Sequence, residues 1–160
     1  MTIEQRARVK SFAAYASIVL IPAILFSCVL ALVTVEGNSM APNVYSGSLL
    51  LCNRHGDISI GDIVVFKAPD GTILVKRVAG TAGDTVSVHN GICTRNGRME
   101  PSSNYSLDSG TGDEFEQAVV PERHIFVLGD NRGVSLDSRD MSVGWVDLSS
   151  IIGTMTLKLK

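Results

Sequence analysis

The chain has 160 residues, of which 45% are apolar and 19% charged, so it has enough apolar material to bury and disorder is excluded as its main state. The formal charge is −2, and the acidic excess sits after residue 36, which leaves no basic footprint for nucleic acid. At 17.1 kDa the chain holds one domain, or one small domain with an anchor.

Arg6, Arg8 and Lys10 open the chain against Glu4, and an uncharged run of 23 residues follows from Ala13 to Val35. As a helix that run is about 34 Å long, enough to span a hydrocarbon core of roughly 30 Å with some tilt. Pro22 within it is tolerated as a kink. This predicts residues 1–11 as a cytoplasmic segment, 12–35 as a single transmembrane helix, and 36–160 as a domain on the outer side, because the basic flank stays inside. A cleaved secretory signal is the rival reading. It needs an apolar stretch of about 7–15 residues ending at small residues, whereas this run is longer and ends in Val33, Thr34 and Val35.

All 15 glycines follow residue 36. Short apolar runs at 48–53, 62–67, 73–79, 85–89, 125–129 and 151–158 read as strands. Asp70-Gly71, Asn90-Gly91, Asn96-Gly97 and Asp130-Asn131 separate them as turn formers. No long 3.6-residue period appears after residue 36. The pattern predicts a mainly β body, antiparallel and barrel-like, with residues 100–117 as a polar surface loop. Cys28 falls in the apolar run. Cys52 and Cys93 would face an oxidising compartment in this topology, and a bridge between them is the lesser of two readings. No CxxC occurs, and His55, His89 and His124 lack ligand spacing, so no metal is expected.

Three segments could carry chemistry. Ser39 lies between Gly37 and Pro42, residues that permit an irregular backbone holding a hydroxyl forward. Lys76 shares a strand face with Leu74 and Val78, while Arg77 and Val75 point the other way. An amine on an apolar face is desolvated, loses its charge more easily, and can act as a general base. The bland alternatives are a simple turn and a snorkelling edge lysine. The third segment, Gly129 to Arg139, has the polar content of a calcium loop. The twelfth position from Asp130 is Met141 rather than Glu, so that reading fails.

Taken together, these segments resemble type I signal peptidases, membrane-bound serine proteases that remove signal peptides. The resemblance runs from the anchor to about Gly153. Ser39-Met40-Ala41-Pro42 is similar to the family's nucleophile box, and Gly61 to Phe66 to the strand after it. Lys76-Arg77-Val78 with Gly80, Gly83 and Asp84 is similar to the lysine box. Gly129-Asp130-Asn131-Arg132 through Ser135, Asp137, Ser138 and Arg139, followed by Gly144-Trp145-Val146, is similar to the last box. The resemblance implies Ser39 as nucleophile, Lys76 as general base, Ser135 orienting the lysine, and Asp137 and Arg139 bracing the site. Met40, Val44, Leu74 and Val75 would line a shallow pocket for small substrate side chains.

It also implies signal peptides of exported preproteins as substrates, contact with membrane lipid, and no cofactor. The enzyme would sit in an inner or plasma membrane, with its catalytic domain periplasmic or extracellular. One position departs: many members carry Ser or Thr two residues before the nucleophile as an oxyanion donor, and Gly37 stands there. The segment 90–120 would be a reduced version of the family's variable insertion. Competing readings are a Ser39–His124 triad, a catalytically weak or dead tethered β-domain that binds leader peptides, and a processing peptidase with one dedicated client. The β-domain also resembles the self-cleaving domain of SOS-response repressors, which carry a DNA-binding domain in place of the apolar span.

Overall fold

The computed structural model describes residues 3–159; in the N-terminal helix the described side chains are those at 5, 12, 15–23, 26, 28 and 29. The side chains of Arg6, Arg8 and Lys10, on which the orientation rests, lie outside that set. Helix α1 (Ile3–Val29) contains Pro22. Phe12, Tyr15, Ile18, Val19 and Phe26 on it are all more than half exposed. Among the described residues, no helix is long and apolar enough to cross a membrane.

The apolar run does not stay helical to Val35. Its last residues form strand β1 (Leu30–Thr34), paired antiparallel with β2 (Leu49–Asn53). Ala31 and Val35 turn inward against Val44, Leu50 and Cys52, while Leu32 and Thr34 face out. Burial on a two-residue period, together with a paired partner strand, overrides the helical reading of a uniformly apolar stretch.

The remaining strands are β3 (Ile63–Lys67), β4 (Ile73–Thr81), β5 (Thr85–His89), β6 (Ile92–Arg95), β7 (Arg98–Met99), β8 (Phe115–Val119), β9 (His124–Leu128), β10 (Val146–Asp147) and β11 (Ile151–Lys158). They build a seven-stranded sheet, β1-β2-β11-β3-β4-β9-β10, and a four-stranded sheet, β7-β6-β5-β8. Every strand pair is antiparallel. The expected barrel is corrected to two open sheets, since β1 and β10 end the first without pairing to each other. The segment 100–117 is also more structured than a surface loop, holding a short 3₁₀ turn (Ser102–Asn104) and the start of β8.

The long strand β4 links the two sheets. Its register with β9 shifts between Val78 and Gly80, and the chain then turns into β5. A side chain on Gly80 would meet Val86 of β5 at 2.7 Å, so this close approach requires glycine. Beyond it, Val86, Val88, Cys93, Val120, Phe126 and Leu128 form a core joined by Phe115 and Trp145. The Phe115 ring stacks edge-on to Trp145 with centroids 5.6 Å apart. Cys52 and Cys93 are buried and unbridged, one in each sheet.

Candidate active site

Ser39 lies in the connection between β1 and β2. Met40 and Val44, each 1% exposed, drop from that connection into the core beside Leu50, Ile63 and Val65 and fix it in place. The Ser39 carbonyl accepts a hydrogen bond from the Asn131 backbone N–H at 2.9 Å. The serine is thus held from two sides while its hydroxyl stays partly exposed.

Lys76 comes from the middle of β4. Alternation puts it on one face with Leu74 and Val78, as the sequence predicts, and it is 2% exposed. Its Nζ donates to Ser39 Oγ at 2.7 Å and to the Val75 carbonyl at 3.0 Å. Burial pushes the amine down to about 8; the carboxylates of Asp137 and Asp130 oppose this, and Arg139 pushes it lower still. An amine that sheds its proton near pH 8 can accept the proton of the hydroxyl it touches.

The turn after β9 supports the pair. Asp130 is fully buried and takes two bonds from Arg77, at 2.8 Å to Nε and 2.6 Å to Nη2, and a third from Asn43 Nδ2 at 2.8 Å. Asp137 and Arg139 form a second two-pronged pair, at 2.8 and 2.9 Å, and Asp137 also accepts from the Gly129 N–H. Gly129 packs against Ser135 and against the Ser39 carbonyl, since a Cβ on Gly129 would collide with both. Its Oγ is buried and has no hydrogen-bond partner, so it makes no bond to Lys76.

Two clefts meet at Ser39 and Lys76. The first, of about 320 Å³, runs between residues 33–36 and residues 72–75. The second, of about 500 Å³, lies between Gly37 and Leu74 on one side and Ser109, Asn131, Val134 and Leu136 on the other. Leu74 and Val75 line the first cleft. Met40 and Val44 line neither, being core residues beneath the serine. His124 bonds the Glu122 carbonyl and approaches Asp147 at 3.9 Å; it has no contact with Ser39, which removes the triad.

Sequence reasoning misses the tie between Arg132 and Glu100. Arg132 is 1% exposed and meets both carboxylate oxygens of Glu100, at 2.5 and 2.8 Å. Its guanidinium also lies 4.7 Å from the centre of the Tyr105 ring. The bonds anchor the segment after β7 to the turn that holds Ser39. No spacing in the sequence joins residues 32 positions apart in this way.

A family model described as signal peptidase, peptidase S26, matches residues 8–159. Signal peptidase I of Bacillus caldolyticus is 39% identical over 140 residues, covering 78% of this chain and 76% of that protein. Signal peptidase IB of Staphylococcus aureus is 33% identical over 145 residues, covering 78% of this chain and 75% of its own length. The crystal structure of a signal peptidase I from Enterococcus faecalis V583 superposes with a TM-score of 0.52 at 30% identity, over 63% of this chain and 98% of that one. With a family match across nearly its whole length and relatives above 30% identity, the chain belongs to the signal peptidases of peptidase family S26.

Proposed function

We propose that this chain is a membrane-anchored serine endopeptidase that removes signal peptides from exported preproteins, with Ser39 as nucleophile and Lys76 as general base. The observation carrying this reading is the 2.7 Å contact between a buried, pKa-lowered amine and a hydroxyl that opens onto two clefts.

The first cleft suits an extended peptide. Strand β1 pairs only with β2, and pairing of β4 with β9 begins at Arg77, so both walls present unpaired backbone. A substrate strand between them can hydrogen-bond to either side, with its register set by the apolar walls of Val33, Leu74 and Val75.

In the first step the neutral Lys76 amine takes the Ser39 proton as Oγ bonds to the substrate carbonyl carbon. The carbonyl π pair moves to oxygen. Collapse expels the peptide amine, which leaves with the proton from Lys76, and an acyl-enzyme remains. Water repeats the sequence and frees Ser39. Asp137, braced by Arg139, holds the backbone of Gly129 beside Ser39, and Ser135 packs against Gly129.

The exposed apolar residues of α1, Ile18 to Ile21 lying all round it, support a membrane as its solvent, which we take to be an inner or plasma membrane. Arg6, Arg8 and Lys10 keep the N-terminus cytoplasmic, which puts the catalytic domain outside. The anchor would hold Ser39 near the surface where a signal peptide emerges. The test uses purified full-length chain in detergent with a leader peptide ending in A-x-A. Cleavage lost in Ser39→Ala and in Lys76→Ala is expected, and cleavage surviving in either refutes the dyad. A reporter fused after Lys160 should be active only in the outer compartment.

A further inference from the structure

A serine attack needs donors for the oxygen that becomes negative, and the peptide N–H of Ser39 is one candidate. The residue two positions earlier cannot add a side-chain donor, since it is Gly37. Nor is its backbone free: the Gly37 N–H is held by Ser46 Oγ at 3.2 Å. The space where its side chain would stand is open, with nothing within 4 Å. The site as assembled from the expected residues is therefore one donor short.

Asn131 lines the same cleft as Gly37. Its backbone N–H grips the Ser39 carbonyl, which fixes its Cα beside the serine. The residue lines the second cleft together with Gly37, Ser39 and Lys76. Among the described residues the carboxamide has no partner: Oδ1 is buried without one, and Nδ2, which is not buried, makes no hydrogen bond. Nearby Asn43, by contrast, spends its amide on Asp130. A protein seldom leaves a half-buried carboxamide idle beside a reactive hydroxyl, because the unpaired oxygen costs stability.

We infer that the Asn131 carboxamide is a catalytic residue, whose Nδ2–H donates to the substrate carbonyl oxygen as it becomes an oxyanion and supplies the donor that Gly37 lacks. The inference rests on the Ser39–Lys76 reading. The donor strengthens its bond as charge develops, so it acts mainly in the transition state. Its loss should lower kcat by about 10²–10³-fold and leave KM nearly unchanged.

The test compares full-length wild type, Asn131→Ala, Asn131→Asp and Asn38→Ala, Asn38 being the other amide residue lining the second cleft, on the same leader peptide, with Ser39→Ala as the reference. Activity in wild type and its loss in Ser39→Ala establish the underlying reading first. Failure there removes that reading, whereas the Asn131 variants address only the donor. Asn131→Ala keeps the backbone N–H, so unfolding temperature should hold while kcat falls. Asn131→Asp should fall at least as far, since a carboxylate faces the forming anion. The limb on which activity rises through about pH 8, expected as Lys76 loses its proton, should stay in place. A merely structural role would shift that limb, because the same turn carries Asp130 and Asp137. Wild-type kcat in Asn131→Ala, a fall accompanied by a shifted limb, or collapse of Asn38→Ala with Asn131→Ala unaffected would each overturn the assignment.

Discussion

Arg77 clasps both carboxylate oxygens of Asp130, at 2.8 and 2.6 Å, from the strand position immediately after Lys76. Because strand residues alternate, Lys76 reaches Ser39 from one face while Arg77 fastens the 129–139 turn from the other. The same guanidinium donates to the Gly61 carbonyl at 2.7 Å. Two neighbouring side chains of one strand thus place the amine and fasten the turn that holds the serine's carbonyl. Arg77→Met should leave the fully buried Asp130 charge with Asn43 alone, at a cost of about 3–5 kcal/mol. Arg77→Lys should recover only part, since an ammonium cannot span both oxygens. Chemical denaturation of the three proteins in detergent checks the order.

Glu100 and Arg132 give a second stability prediction. With Arg132 1% and Glu100 13% exposed, Glu100→Gln leaves a buried guanidinium without its countercharge. The expected loss is about 3 kcal/mol. Since Arg132 also donates to the carbonyls of Gly91 and Gly129, the loosened segment should expose the site to proteolysis near residues 100–113. A denaturation midpoint unchanged from wild type would show the pair to be dispensable.

Much of this architecture is legible in the sequence, and its limits have physical causes. The runs at 85–89 and 151–158 coincide with β5 and β11, because alternating β-branched residues between turn formers leave few alternatives. Strand β1 is hidden because Leu30–Thr34 is as apolar as the helix before it. Only its pairing with β2 and the burial of Ala31 decide the matter. Strand β8, Phe115–Val119, is half polar because it borders its sheet and exposes one face. Lys76 is readable from its flanks, since Leu74 and Val78 bracket it on one face. Ser39 is not readable alone. Nothing in the sequence shows that Met40 and Val44 serve as its core anchors, or that Asn131 holds its carbonyl.

Two glycines beside the serine should respond oppositely. Gly37 has φ +83° but open space, so Gly37→Ala should cost about 1–2 kcal/mol of backbone strain and keep the fold. At Gly129 a Cβ would collide with Ser135 and with the Ser39 carbonyl. Gly129→Ala should therefore displace the serine and cost about 10²-fold or more in kcat, as small misplacements do. Leader-peptide kinetics beside thermal unfolding separates the two effects.

The pH dependence follows from Lys76. Its amine is lowered to about 8, so the neutral form grows as pH rises through that value. Activity should climb on a limb centred near pH 8 and persist into alkaline conditions. The stability sign is the matching one. Below about pH 8 the buried amine carries a charge that the unfolded chain solvates better. Between there and the ordinary lysine value, proton loss comes earlier in the folded state, and stability from this group rises with pH. Lys76→Arg should be nearly inactive, because guanidinium does not release its proton. Lys76→Ala should be as inactive as Ser39→Ala, since the two act as a unit. His124→Ala should keep its rate, having no contact with Ser39. The measurement is kcat/KM for these four variants and wild type from about pH 6 to about pH 10. A limb at the ordinary lysine value, turnover by Lys76→Arg, or collapse of His124→Ala with its fold intact would overturn the Ser39–Lys76 mechanism.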